Sequence, residues 1–271
     1  MMRCLLSLLF VVVALPCLAE DKGKDQPICA TDFEASDEHG LYEQLAGHER
    51  LDVVEGEGVD GGQGLRATYE GYPRGSQRIV VNHKLPQRLT EATLVYDVKF
   101  DKAFQFVRTG KLHGLGPDKK ITGGNKMQPD GWSARAVWDR SGVRSYVYCQ
   151  NKDGKYGQGP DRRHKFDIPK GQYFSVTIYV KLNDPVDRAN GVVRIYVNGK
   201  GVADHRGIQF RSVDGEKTKI SHLLFSTFHG GSSPSSAPKD KDGDYTTVHA
   251  YFDNFAVYEG LHVREKPGDD D

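Results

Sequence analysis

Trp132-Ser133-Ala134-Arg135-Ala136-Val137-Trp138, Asp139-Arg140-Ser141-Gly142 and Val143-Arg144-Ser145-Tyr146-Val147-Tyr148-Cys149-Gln150 follow one another in the chain. The outer pieces alternate in the manner of strands, and the middle piece is a turn signal. A loop of two or four residues puts Trp138 opposite Val143, Ala136 opposite Ser145, Ala134 opposite Val147 and Trp132 opposite Cys149. That face is apolar and pairs large with small side chains, so it belongs to a core. The other face then sets Arg135 opposite Tyr146 and Ser133 opposite Tyr148. A three-residue loop would shift the register by one and mix both tryptophans with polar partners.

Outward from this hairpin the same period recurs. Leu94, Tyr96, Val98 and Phe100 alternate with polar partners, and Phe174, Val176, Ile178, Val180 and Leu182 do so again. Shorter strands are expected around Arg50–Val54, Gly64–Tyr69 and Phe104–Arg108. Val192–Val197 ends at an Asn198-Gly199 turn, and Ile220–Phe228 and Val248–Tyr258 complete the series. No amphipathic helix of convincing length is seen, and the 31 glycines suit many tight turns. The expected fold is an all-β jelly-roll sandwich of two antiparallel sheets.

The 271 residues divide unevenly. Residues 1–19 read as a signal peptide, with an apolar run from Leu5 to Leu15 after Arg3 and cleavage after Ala19. Residues 20–30 read as a disordered linker, 31–262 as a single domain and 263–271 as a charged tail. The protein is expected to be secreted or periplasmic. Cys4 and Cys17 fall in the leader. Cys29 and Cys149 are left either to pair or to remain buried thiols.

The 37 basic residues balance the 37 acidic ones. No global field therefore draws the chain to nucleic acid or to a membrane, and neither is expected as a partner. A polyanion would need a local basic patch. The polar hairpin face supplies one, because Lys111, Arg135, Tyr146, Tyr148 and Ser133 gather there without a carboxylate. Such a face suits a 1,4-linked uronate cut by β-elimination, where a base takes the proton on C5 and an acid protonates the leaving O4. The second charge that develops beside the carboxylate needs a cation, and Arg135 and Lys111 can supply it. A tyrosine beside cations has its pKa lowered and can serve as base; a tyrosine can also serve as acid. The blander reading is two tyrosines packing across a sheet. His113 and His229 are candidate substrate contacts beside Ser133.

Other motifs carry less. Asp240, Asp242 and Asp244 resemble the opening of a calcium loop, but the later positions depart from it and a solvated acidic loop fits better. Arg162-Arg163-His164-Lys165 reads as a charged turn. No metal and no cofactor are expected. Three long loops, Pro117–Pro129, Asn151–Arg163 and His229–Asp244, are placed to wall a groove.

Gly110-Lys111-Leu112-His113-Gly114-Leu115 is similar to the Gly-Lys-Leu-Pro-Gly-Leu signature of polysaccharide lyase family 14. Ser133-Ala134-Arg135, Tyr146-Val147-Tyr148, Ser226-Thr227-Phe228-His229-Gly230-Gly231 and Ala250-Tyr251-Phe252-Asp253-Asn254-Phe255 follow at the family's spacing. The resemblance spans residues 90 to 260. It implies a jelly roll and a metal-independent β-elimination on alginate or glucuronan. Lys111, Ser133, Arg135, Tyr146 and Tyr148 match the family's active-site positions. There the tyrosines are implicated in proton transfer, and lysine and arginine in handling the carboxylate. His113 departs from the usual proline, residues 114–132 lack a histidine that some members carry, and His229 replaces a common aromatic residue. The expected protein is a monomer acting on an acidic polysaccharide; a lectin-like sandwich without catalysis is the alternative.

Overall fold

The computed structural model describes residues 26–140, 142–160 and 166–269. The expected leader with Cys4 and Cys17, the linker as far as residue 25, the Arg162–Lys165 cluster and the last two residues of the tail lie outside them.

Among the described residues the strands are β1 (Cys29–Thr31), β2 (Leu51–Glu55), β3 (Gln63–Tyr72), β4 (Gly75–Ser76), β5 (Ile79–Leu89), β6 (Glu91–Phe100) and β7 (Thr109–Gly116). They continue as β8 (Ser133–Asp139), β9 (Gly142–Tyr148), β10 (Tyr173–Lys181), β11 (Gly191–Val197), β12 (Lys200–Ile208), β13 (Ile220–Gly230) and β14 (Thr247–Glu259). The larger sheet runs β12-β11-β10-β6-β14-β3-β2, with β1 on β14 and β4 on β3. The smaller sheet runs β5-β13-β7-β8-β9. All pairings within both sheets are antiparallel.

The core lies between the two sheets. Phe174, Val176, Ile178 and Val180 of β10 meet Leu94, Tyr96, Val98 and Phe100 of β6 on its inner side. From the smaller sheet come Leu112, Leu115, Ala134, Ala136, Trp138, Val143, Val147 and Phe225. Trp132 packs with its ring centroid 4.9 Å from that of Phe210 and donates its indole N–H to Thr218 O at 2.9 Å. Burying each such side chain contributes on the order of 1.5–3 kcal/mol.

The β8–β9 hairpin has the expected register. Ser133 pairs with Tyr148, Ala134 with Val147, Arg135 with Tyr146, Ala136 with Ser145 and Trp138 with Val143. Asp139 pairs with Gly142, so the loop has two residues, and Arg140 takes φ 57° as such a turn requires.

Two expectations need correction, and two features add to them. Phe104–Arg108 is no strand: Ala103 N–H binds the Asp101 carboxylate, Phe104 N–H binds Asp101 O, and Arg108 turns left-handed at φ 47°. Phe104 and Phe106 still pack into the core from this irregular stretch. Cys29 and Ala30 are not linker, because they pair with Val257 and Ala256 of β14. The charged tail is anchored where it begins: Arg264 is buried against Asp97, and Gly268 N–H also donates to that carboxylate. A six-residue helix, α1 (Leu41–Ala46), passed unread; the Asp37 carboxylate accepts the N–H of Leu41 and Tyr42 at its start.

Cys29 and Cys149 are free buried thiols, and burial pushes them up to about 12 and about 11. No described helix is long and apolar enough to cross a membrane.

Candidate active site

The outer face of the smaller sheet carries the polar set. Ser133 and Arg135 lie two apart on β8, and their partners Tyr148 and Tyr146 share their side. Val137 extends that face and is the partner of Lys111 on β7, so Lys111 joins it. Lys111 Nζ lies 3.6 Å from the centroid of the Tyr146 ring. Tyr146 and Tyr148 meet edge to face with centroids 5.7 Å apart.

Two of the expected walls close on these tyrosines. Gly124, in the loop after β7, donates its N–H to Tyr148 Oη at 2.8 Å. Ser133 Oγ donates to Ile121 O of the same loop at 2.6 Å, so Ser133 holds the wall rather than facing substrate. On the other side Gly157 lies against both rings: a Cβ there would stand 2.8 Å from Tyr146 Cε1 and 2.9 Å from Tyr148 Cε2. Only glycine lets the loop approach this closely. A bridge between Val147 and Gln158 fixes that approach.

His113 and His229 are not on this face. Between the pairs Lys111–Val137 and Gly114–Arg135, β7 has two intervening residues and β8 one. This bulge turns His113 inward with Leu112. His113 is fully buried, stacked on Phe225 at 4.1 Å, and its Nδ1 accepts Ser226 N–H at 3.1 Å. Burial holds its pKa well below the ordinary histidine value. His229 is buried between Phe104 and Trp138, bonds Gln105 O through Nε2 at 2.7 Å, and is pulled down to about 4 by burial. Both are core residues.

Arg135 is 8% exposed, and among the described residues no carboxylate pairs with it. Its Nη1 reaches Ser226 Oγ at 3.4 Å, and its Nε has no hydrogen-bond partner. Burial lowers its pKa to about 10, opposed by the two tyrosines. Lys111 is brought to about 7 by burial first, then by the charges of Arg135 and Arg144. The cation–π contact with Tyr146 works the other way and favours the ammonium. Tyr146 is raised, not lowered as expected from its cationic neighbours: burial dominates, Tyr148 adds to it, and Arg135 opposes only as a minor influence. At neutral pH the site therefore holds a protonated phenol beside an amine that readily gives up its proton.

Three further residues belong to the face. Arg144 lies two before Tyr146, with its guanidinium carbon 5.8 Å from that ring, and is paired with Asp139 at 3.0 Å. Ser226 bonds Arg135 as described. Phe228 is the partner of Lys111 on β13, with Arg78 over its ring at 5.7 Å. Simple alternation from Tyr146 would have found Arg144; Ser226 and Phe228 needed the neighbour order of the strands.

The family model for polysaccharide lyase 14 matches residues 66–255. The chain belongs to this family. It is a polysaccharide lyase, and the matched span contains every residue of the face just described. Alginate lyase Aly36B is similar to it at 25% identity, over 79% of this chain and 85% of its own, with a TM-score of 0.64. Variants of Aly36B are known in complex with an alginate trisaccharide and a tetrasaccharide. The alginate lyase vAL-1 from Chlorella virus (21% identity, 78% and 89% covered, TM-score 0.61) shares the fold with this lyase. So does the endo-β-1,4-glucuronan lyase of the fungus Trichoderma reesei (16%, 80% and 90%, 0.54). No curated protein matches the sequence.

Proposed function

We propose that this lyase is an exported enzyme that cleaves a 1,4-linked polyuronate, alginate or glucuronan, by β-elimination. The observation that carries the reading is Arg135, a buried guanidinium without a counter-charge among the described residues. Leaving such a charge unpaired is costly. A substrate carboxylate is the natural partner, held bidentately. Lys111 adds a second cation-capable group and Tyr146 and Tyr148 add hydrogen-bond donors.

In the proposed reaction Arg135 neutralises the uronate carboxylate. The neutral amine of Lys111 takes the proton from C5, and the C5–H electrons form the C4–C5 double bond. The C4–O4 bond breaks, and Tyr146 gives its phenolic proton to O4. The Lys111 ammonium then returns a proton to the Tyr146 phenolate, restoring both groups. Tyr148, tied to Gly124, orients the sugar and the Arg135 guanidinium. This division moves the base from the tyrosines to Lys111, because burial raises Tyr146 while it lowers Lys111. Export rests on the leader-like character of residues 1–19.

The test is incubation with poly-mannuronate, poly-guluronate and glucuronan while the ultraviolet absorbance of the unsaturated product is followed. Absorbance growing with one of them supports the reading and names the substrate. Binding without absorbance on any of them would favour the lectin-like alternative.

A further inference from the structure

We propose that His222, Lys84 and Lys120 form a second carboxylate subsite on the same sheet face, one that takes up a proton when a uronate occupies it. The proposal rests on the polyuronate reading above and extends it away from the reacting bond.

The three residues converge across three elements. His222 on β13 is the partner of Gly116 on β7 and of Lys84 on β5. Gly116 has no side chain, and Leu224 and Lys120 together cover it: Leu224 Cδ1 lies 2.9 Å and Lys120 Cγ 3.3 Å from where a Cβ would be. Lys84 and Lys120 form no ion pair among the described residues. Arg88 is already committed, with Nη2 on Asp118 at 2.9 Å and Nη1 on Glu216 O at 2.9 Å.

The hydrogen bonds around His222 fix its proton. Arg88 holds the Asp118 carboxyl below the usual range, so it is ionised and only accepts. Ser221 Oγ donates to Asp118 Oδ1 at 2.9 Å, which spends its only proton. Ser221 Oγ also lies 2.9 Å from His222 Nδ1, and can there only accept. Nδ1 therefore carries the hydrogen, and Nε2 is left as a bare lone pair. Burial, then Lys120, Arg88 and Lys84, pull His222 down to about 4, with Asp118 opposing. An arriving carboxylate cancels the lysine field, and the incoming proton lets Nε2 donate a charge-assisted hydrogen bond. Binding and proton uptake are then linked.

Ser226, which Arg135 Nη1 reaches, lies four residues along β13 from His222, roughly 13 Å on. The uronate held by Arg135 does not reach that far. The second carboxylate must belong to another unit of the same polymer, so the subsite serves long substrates.

The experiment uses the full chain carrying Lys111→Ala, which removes both turnover and the Lys111 titration. Calorimetry with long and short poly-mannuronate and glucuronan fragments, in two buffers of different ionisation enthalpy, counts protons taken up. Near about pH 5 the long fragments should bring in close to one extra proton relative to short ones. His222→Gln should abolish that difference. Lys84→Ala with Lys120→Ala, two outward-facing changes, should weaken long-fragment binding about three- to tenfold and leave short fragments unchanged. Unchanged uptake in His222→Gln, or equal effects on long and short fragments, overturns the subsite. Cleavage by wild type without His222-dependent uptake sinks the subsite and leaves the lyase reading intact. Uptake and binding without cleavage by wild type sinks the polyuronate lyase reading and leaves the subsite standing.

Discussion

Lys111 Nζ rests 3.6 Å from the centre of the Tyr146 ring, although the two residues come from strands separated by β8. Lysine crosses above Val137 to make this contact, and Arg135 lies on the strand between. The proposed base, acid and carboxylate holder thus come from three successive strands of one sheet, within about 10 Å of backbone spacing.

Removing the amine should remove the chemistry. Lys111→Ala is expected to lower kcat by at least about 100-fold while circular dichroism stays that of the folded protein. Lys111→Arg should not restore it, because a guanidinium does not release its proton near neutral pH. Near-wild-type turnover in either variant would refute the assignment of the base.

The pH profile follows from the same group. In the proposed reaction Lys111 acts as the neutral amine, so kcat/KM should rise with pH and level off above about 7. Bound carboxylate stabilises the ammonium, so the corresponding limb in kcat should lie at higher pH. The alkaline limb belongs to Tyr146, which burial places above the ordinary tyrosine value. Rates measured across buffers of constant ionic strength test this; activity falling as pH rises through 7 would contradict it.

The tyrosines should separate. Tyr146→Phe deletes the proposed acid and should cost on the order of 10²–10⁴ in kcat. Tyr148→Phe loses the acceptor of Gly124 N–H. It should also cost most of the rate, with a larger share of the loss in KM. Steady-state kinetics on the preferred polymer distinguish the two patterns.

Gly110 tests the core beneath the site. A Cβ there would stand 1.7 Å from Trp138 Cζ2. Gly110→Ala should destabilise by about 3 kcal/mol or more, because a fully buried indole has nowhere to go. In a protein of this size that lowers Tm by roughly 6–12 °C, measurable by calorimetry.

Arg264 tests the docking of the C-terminal segment. It is 1% exposed and faces Asp97, itself 0% exposed, at 3.4 Å. Arg264→Ala should cost about 3–5 kcal/mol by leaving that carboxylate buried without its partner. Burial already raises Asp97, and Arg264 is the strongest opposing influence. Its removal raises Asp97 further. A carboxyl raised on folding loses stability as pH rises, so the variant should be less impaired near about pH 4 than near about pH 8. Denaturant titrations at both values check this.

The hairpin was legible because two tryptophans, three small residues and a turn of even length leave one register that keeps both tryptophans on an apolar face. Plain alternation would also put His113, two residues after Lys111, on the sheet face, and the structure does not. The bulge that reverses it has no mark in the local composition. His229 read as a strand end open to sugar, yet Gln105, Phe104 and Trp138 enclose it from elements far away in the chain. The Tyr146 shift also escaped the sequence: neighbouring cations are visible there, but the depth of burial that outweighs them is not.

The extra residue at Leu112–His113 sets the phase of β7. Upstream of it, odd-numbered Lys111 looks toward solvent; downstream, even-numbered Gly114 and Gly116 do. Deleting either residue would bring the two halves back into step and swing the Lys111 amine among Phe225 and Trp138, or else expose Leu115. A one-residue deletion here should therefore be more damaging than any single substitution at position 113. The length of this segment, more than the identity of its histidine, is what the active site depends on.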